Sequence, residues 1–314
     1  MIFKKPKFWD QKKPNIISYI LLPFTLPVVI NNFLLKFKTK DKIKEIKTIC
    51  VGNISVGGTG KTPTTIRLYE IFRDLEFDVV TAKKFYPSQI DENIILSKKT
   101  NFINAKNRRL IINQATKNQK NIIIFDDGLQ DKTISYDLEF VCFDVKNFIG
   151  NGLLIPSGPL REKLDSLMKY DGVFLKSENQ IDVEKLNLIK KYNPKIEIFI
   201  TFLEINNLLE FDLKKDYLIF SGIGNPESFK DILEKNNFNI VEEIIFPDHH
   251  DYKNREIEDI LKKAKDKSAA IITTEKDYVK ISKEYSHDIK FLSINLKIQN
   301  EKKLINFLKS QLYE

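Results

Sequence analysis

Ser55-Val56-Gly57-Gly58-Thr59-Gly60-Lys61-Thr62 is the stretch whose reading decides the fold. It ends in the Gly-Lys-Thr of a phosphate-binding loop. It follows the apolar run 46–51 and precedes a helix-like segment at 63–75. Strand, glycine-rich turn and helix in that order are the context such a loop needs. Gly57, Gly58, Thr59 and Gly60 let backbone N–H groups turn toward a phosphate chain without side-chain clash. The start of the following helix adds its positive dipole end. Lys61 has the length to reach β- and γ-phosphates, and Thr62 offers a hydroxyl to Mg2+. Ser55 stands where the usual pattern has its first glycine, so a strict pattern search passes over the site.

Working outward, apolar strand-like runs alternate with helical ones. Strands are expected at 48–51, 79–82, 121–125, 140–143, 172–175, 196–202, 217–221, 239–245, 269–273 and 289–294. Helices are expected at 62–75, 108–118, 182–191, 226–236, 254–265 and 301–312. Several strands are continuous apolar runs, as in parallel strands covered on both faces. The expected fold is therefore α/β, a P-loop NTPase-like parallel sheet core with a smaller C-terminal α/β domain. A polar, leucine-rich loop at 206–215 is the seam. The expected organisation is an N-terminal segment 1–40, a core domain 41–210 and a second domain 211–314.

The chain has 314 residues, 42% of them hydrophobic, enough for two domains with sizeable cores. Its two cysteines, Cys50 and Cys142, lie inside apolar runs and read as small buried hydrophobes, which gives no disulfide framework. The net charge of +8 comes from basic residues spread along the chain. Without clustering, zinc-finger spacing or an RNP-like motif, nucleic acid is not an expected partner.

The N-terminus departs from this pattern. Residues 16–30 form an apolar run of fifteen that contains Pro23 and Pro27, shorter than the roughly twenty residues of a spanning helix. Lys4, Lys5, Lys7, Lys12 and Lys13 precede it, and Lys36, Lys38 and Lys40 follow. Apolar side chains in the acyl region and lysines at anionic headgroups fit an interfacial, monotopic anchor. A buried pair of core helices is the other reading.

Five further clusters can carry chemistry. Asp126-Asp127-Gly128 ends a buried apolar run, where a P-loop fold places its second metal-binding group; two carboxylates suit Mg2+. A plain Asp-Gly turn is the alternative. Gly150-Asn151-Gly152 and Pro156 to Glu162 surround Arg161, which either neutralises an anion or pairs with a neighbouring acid such as Glu162. Phe246-Pro247-Asp248-His249-His250-Asp251-Tyr252 holds two of the three histidines between acids, a setting for proton transfer or for a structural cap. Asp91-Glu92 reads as a helix N-terminal acid pair, with a base for a hydroxyl as the alternative. Thr273-Thr274-Glu275-Lys276-Asp277 closes a strand as either a substrate contact or a charged turn.

Together these motifs resemble the tetraacyldisaccharide 4'-kinases, the lipid A 4'-kinases. The resemblance runs through Val51 to Pro63, where that family also carries Ser or Thr in place of the first glycine. It continues in Asp126 to Gln130, Gly150-Asn151-Gly152, Pro156 to Glu162, Ser221 to Pro226, Phe246 to His250 and Thr273 to Asp277. It implies a membrane-associated kinase that moves the γ-phosphate of ATP, with Mg2+, to the 4'-hydroxyl of a tetraacylated disaccharide 1-phosphate. The implied setting is the cytoplasmic face of the inner membrane, peripheral or monotopic, with an anionic glycolipid acceptor and no obligatory protein partner. Carried over, Lys61 and Thr62 hold phosphates and metal, and Asp126 and Asp127 serve metal and transfer. Asp91 activates the hydroxyl with His249 beside it, and Arg161 and Asn151 contact substrate. The chain departs from the family at Ala82 to Ser88, where Ser-Arg-Gly-Tyr-Gly is usual, at Ile90 for a glycine, and at Asp131 for a histidine. The rival class is a membrane-associated P-loop ATPase or GTPase switch, which needs no acceptor and no hydroxyl-activating pair. A non-catalytic lipid-binding relative is a third, opposed by the intact Lys61, Thr62, Asp126 and Asp127.

Overall fold

The computed structural model describes residues 5–37, 41–177 and 182–313. Lys47–Gly52 lies inside an eight-stranded sheet. The order across it is Ile294–Ile298, Glu197–Ile205, Gly172–Lys176, Leu138–Asp144, Lys47–Gly52, Ile122–Asp126, Val79–Lys84 and Phe102–Ala105. From Glu197–Ile205 to Phe102–Ala105 every pairing is parallel. Ile122–Asp126 and Leu138–Asp144 are buried at every position, which is why their sequences read as unbroken apolar runs. Cys50, in Lys47–Gly52, and Cys142, in Leu138–Asp144, are buried free thiols. Burial pushes both up, Cys142 to about 12, so they stay protonated.

The second sheet has four parallel strands in the order Asn239–Ile245, Asp216–Ser221, Ala270–Thr274 and Ile289–Leu292. Alternation along Asp216–Ser221 sends Tyr217 and Ile219 to one apolar cluster and Leu218 and Phe220 to another. Each face of the sheet thus has its own core. The expected strand at 289–294 is two strands, interrupted at Ser293, whose N–H donates to Asn207 Oδ1 (2.9 Å).

Two compact units result. One comprises Tyr86–Lys98 and Leu203–Asn295; the other comprises Lys5–Phe85, Lys99–Phe202 and Leu296–Glu314. This differs from the expected division at 210/211. The last helix, Glu301–Tyr313, returns to the core unit because Arg67 forks onto Glu301 (2.7 and 2.8 Å) and Tyr313 stacks on Phe77. The helix Ile90–Lys99, expected only through the Asp91-Glu92 acid pair at its start, lies almost wholly in the other unit.

The N-terminal segment is longer than its prolines suggest. Ile16–Leu34 is helical for 19 residues, about 28 Å at 1.5 Å per residue. Pro23 and Pro27 fall at the first positions of the Leu22–Thr25 and Leu26–Leu34 segments, where no N–H partner is lost. Asn15 and Ser18 form a capping box at its start. Its surface is apolar and open: Ile16 is 77% exposed, and Ile20, Phe24, Leu26, Phe33 and Leu34 are exposed too. Lys4, Lys38 and Lys40 lie outside the described residues. Below the helix, Trp9 is buried and donates from Nε1 to Pro156 O (2.9 Å). Gly150 bends there at φ +53°, where a Cβ would lie 2.0 Å from Trp9 O. Any side chain at Gly150 would clash.

Candidate active site

The candidate site residues gather in two side-chain clusters, one in each unit.

In the core unit, Lys47–Gly52 runs into the glycine-rich loop and Lys61–Asp74 leaves it as a helix. Gly60 caps that helix at φ +85°, a conformation that favours glycine. The loop is held from both ends. Asn53 Nδ2 donates to Thr59 Oγ1 (3.2 Å), and Thr64 Oγ1 donates to Gly60 O (2.8 Å). Val56 N–H donates to Pro159 O (2.8 Å) and Arg161 N–H to Ile54 O (2.7 Å), so the Pro156 to Glu162 loop braces the phosphate loop.

Thr62 Oγ1 donates to Asp126 Oδ2 (2.9 Å), at the carboxyl end of the neighbouring strand. The same oxygen takes a bond from Lys83 Nζ (3.0 Å), and both partners are almost fully buried. Removing one charge of such a pair is far costlier than never having built it. Asp127 turns away at φ +58°. Its carboxylate lies 4.0 Å from Lys61 Nζ and 3.5 Å from Arg161 Nη1. Arg108 Nη2 donates to Asp127 O (3.1 Å) while the same guanidinium pairs with Asp131. The residue that departs from the family thus anchors the Asp127 turn.

Arg161 faces Asp127 and Gln130 rather than Glu162, which accepts from Gln130 and Tyr170. Asn151, expected to contact substrate, spends its side chain inside the fold. Its amide donates to Ser18 Oγ (3.0 Å) and Ser157 O (2.9 Å), and its oxygen accepts from Leu153 N–H (3.1 Å). Both donors are used, so Asn151 ties the N-terminal helix to the bracing loop.

Among the described residues no group of three or more His, Cys, Asp and Glu could hold a metal ion. What the core unit offers instead is a hydroxyl and a carboxylate oxygen 2.9 Å apart, with a second carboxylate one residue on. Those oxygens fit Mg2+, which takes one or two protein ligands and fills its remaining positions with phosphate oxygens and water.

The second cluster centres on Asp91, buried in the first turn of Ile90–Lys99. Both its carboxylate oxygens lie 3.0 Å from His249 Nδ1, and Oδ1 also accepts from Glu92 N–H (2.9 Å). One carboxylate thus serves both the start of its own helix and the His249 ring. His249 sits at φ +58° with its N–H donating to Gly222 O (3.0 Å), which aims the ring at Asp91. His250 points elsewhere, to Glu256 (2.9 Å) and flat against Phe246. Lys276 and Lys280 approach Asp91 Oδ2 at 3.8 and 3.7 Å. Neither lysine was singled out from the sequence, although Lys276 lies inside a motif that was.

Burial pushes the Asp91 carboxyl up, but the His249 bond and the charges of Lys276, His249 and Lys280 outweigh it, and the group is held below the usual carboxylate range. The sign follows: the folded value lies below the unfolded one, so this stabilisation is complete above the unfolded value and is lost as pH falls through the folded one. Asp91→Asn is expected to flatten the acid dependence. Its urea midpoint should fall less between about pH 5 and pH 3 than that of the unsubstituted protein. Equal slopes in the two proteins would contradict this.

A parallel sheet with a glycine-rich loop, Lys-Thr and an acidic strand end defines a P-loop protein of the nucleoside-triphosphate-binding class. Comparison narrows the class. The sequence model of the family described as Tetraacyldisaccharide-1-P 4'-kinase matches residues 19–313. The chain is 44% identical over 310 residues to a tetraacyldisaccharide 4'-kinase of Pelagibacter ubique (strain HTCC1062), covering 98% of each. It is 37% identical over 312 residues to that of Rickettsia bellii (strain OSU 85-389), covering 94% of each. The crystal structure of the "apo" form of LpxK from Aquifex aeolicus in complex with ATP has the same fold. Its TM-score is 0.69 at 21% identity, covering 95% of this chain and all of that one. The chain belongs to the tetraacyldisaccharide 4'-kinase family.

Proposed function

We propose that this protein transfers the γ-phosphate of ATP to the 4'-hydroxyl of a tetraacylated disaccharide 1-phosphate at the cytoplasmic surface of the inner membrane. Besides family membership, one observation carries the reading: the buried Asp91–His249 pair, which nucleotide hydrolysis alone does not require.

Gly57, Gly58, Thr59 and Gly60 cradle the phosphate chain with backbone N–H groups. Lys61 offsets the charge that builds on the transferring group. Thr62, Asp126 and Asp127 are the residues that would hold Mg2+, which when bound neutralises phosphate charge. Arg161, beside Asp127, adds a second cation at this end. The acceptor hydroxyl gives up its proton to the Asp91–His249 pair as its oxygen bonds to the γ-phosphorus and the bond to ADP breaks. Asp91 was expected to take that proton. Its two oxygens are already engaged by His249 Nδ1 and it is 2% exposed, while the His249 side chain is 21% exposed. This favours His249 Nε2 as the atom that meets the hydroxyl and Asp91 as its orienter.

The exposed apolar face of Ile16–Leu34 supports insertion at the membrane interface, where an acylated acceptor resides. The test is whether ATP consumption requires the acceptor. A kinase consumes ATP in proportion to acceptor added, with matching phosphorylated product. Equal consumption with and without acceptor would move the protein to the switch class.

A further inference from the structure

Asp277 closes the Thr273 to Asp277 motif and has no part in the steps above, yet it is completely buried. A carboxylate is costly to bury unless it is paired and hydrogen-bonded, so its partners show what it serves. Thr274 caps the short helix Glu275–Tyr278. Its Oγ1 accepts from Asp277 N–H (3.1 Å) and donates to Asp277 Oδ2 (2.6 Å). A capping box would send the third side chain back to the backbone of the capping residue. Here Oδ2 reaches instead to Gly222 N–H (3.0 Å), 55 positions away and just past the end of Asp216–Ser221. Oδ1 takes a bond from Lys280 Nζ (2.9 Å).

Each of these two partners leads to one member of the Asp91–His249 pair. Phe246 N–H donates to Ser221 O (2.8 Å) and His249 N–H to Gly222 O (3.0 Å), so the segment carrying His249 lies along the Ser221-Gly222 backbone. His249 stands at φ +58°, a region that a residue with a side chain keeps only when its surroundings fix it. Gly222 is closely enclosed. A Cβ there would lie 3.0 Å from Pro247 O and from Tyr252 Oη, and 3.1 Å from Asp277 Oδ1. Lys280 leads to the other member. Its ammonium lies over the Tyr252 ring and 3.7 Å from Asp91 Oδ2, and its shorter bond, to Asp277, sets where it stands.

We propose that Asp277 is a positioning residue for both halves of the pair. Through Gly222 it sets the turn that aims His249 at Asp91, and through Lys280 it sets the cation beside Asp91. No covalent bond is made or broken at Asp277. The purpose rests on the kinase reading; the geometry does not.

Amide hydrogen exchange at His249, followed in nitrogen-15-labelled protein, reads the turn without any assay of activity. The chain has three histidines, and His249→Gln assigns the relevant signal. Asp277→Ala is expected to speed exchange at His249 by about tenfold or more, the scale of one hydrogen bond to a charged group. The amide of Ile219, at the centre of the sheet, should keep its protection, which separates a local change from unfolding. Asp277→Asn leaves an oxygen for Gly222 N–H but sets an NH2 group against Lys280. Exchange at His249 should then stay slow, and turnover should fall between those of the other two proteins. In the kinase assay Asp277→Ala is expected to lose about 10²-fold in turnover, the scale of a reacting group set roughly 1 Å off. KM for ATP should not change, because the phosphate loop belongs to the other unit. Should Asp277→Ala fold poorly, Gly222→Ala crowds the same backbone with Asp277 intact and should likewise speed exchange at His249 and lower turnover. Unchanged exchange at His249 in the folded variant would overturn the proposal, as would full turnover in a variant whose His249 exchange is fast. If exchange behaves as expected and the unsubstituted protein phosphorylates no acceptor, the kinase reading fails and the link from Asp277 to His249 stands.

Discussion

Replacing Lys61 with alanine is expected to lower phosphate transfer by on the order of 10³-fold or more, with the protein still folded. The two halves of that statement come from the same geometry. Lys61 is the first residue of its helix and follows a loop braced through its backbone by Pro159 and Arg161, neither of which depends on the Lys61 side chain. Its ion pair with Asp127 is loose, at 4.0 Å, and pairs of that kind contribute little to stability. On the proposed reading the same ammonium would meet phosphate at close range, where a fixed charge aimed at the transferring group is worth most. A 10³-fold loss corresponds to about 4 kcal/mol of transition-state stabilisation. Lys61→Arg should not rescue fully, because a planar fork replaces a point charge. Single-turnover transfer with saturating ATP, beside a thermal melt without nucleotide, checks both halves. A variant that melts normally and keeps more than a tenth of the activity would remove Lys61 from the mechanism.

Asp91→Asn is expected to cost 10²- to 10⁴-fold in acceptor phosphorylation, the range for a general base and its orienter. An amide in place of the carboxylate offers one accepting oxygen instead of two. Its NH2 group also confronts the Nδ1–H of His249, which lies 3.0 Å from both oxygens in the native geometry. The ring then loses both its orientation and its counter-charge. ATP affinity should be untouched, since none of Asp91, His249, Lys276 and Lys280 belongs to the unit that carries the phosphate loop. His249→Gln should be impaired to a similar degree, and the double variant should be little worse than either single one, because two residues acting as one device are non-additive. Multiplying losses in the double variant would mean that the two act independently, contrary to a shared proton path.

How far the sequence foretold this depends on how local each feature is. The phosphate loop was legible because its chemistry is contiguous: strand, glycines, Lys61 and Thr62 follow one another within two turns of chain. The parallel core was legible because runs such as Ile122–Asp126 are apolar at successive positions, which only a strand covered on both faces requires. The Asp91–His249 pair was not legible from residues alone. Its members are 158 positions apart, and read locally Asp91 is a helix-cap acid; the pairing entered through family resemblance. Lys83 was missed for a related reason. A lysine near a strand end is expected to reach solvent, and its burial depends on Asp126, 43 residues away. The prolines of the N-terminal helix misled in the opposite sense, since Pro23 and Pro27 each open a new helical segment within Ile16–Leu34, where a proline is tolerated. Likewise the return of Glu301–Tyr313 to the core unit rests on Arg67 and Phe77, contacts that no local pattern encodes.

The most direct test of the central claim is the chemical identity of the product. The protein is incubated in detergent micelles with ATP, Mg2+ and tetraacyl disaccharide 1-phosphate, and the lipid is examined by phosphorus–proton correlation NMR. The account predicts a second phosphate coupled to the 4' proton of the disaccharide, formed in step with ADP and absent with Lys61→Ala. ADP formation with the lipid still carrying only its 1-phosphate, or a new phosphate at any other hydroxyl, would contradict it.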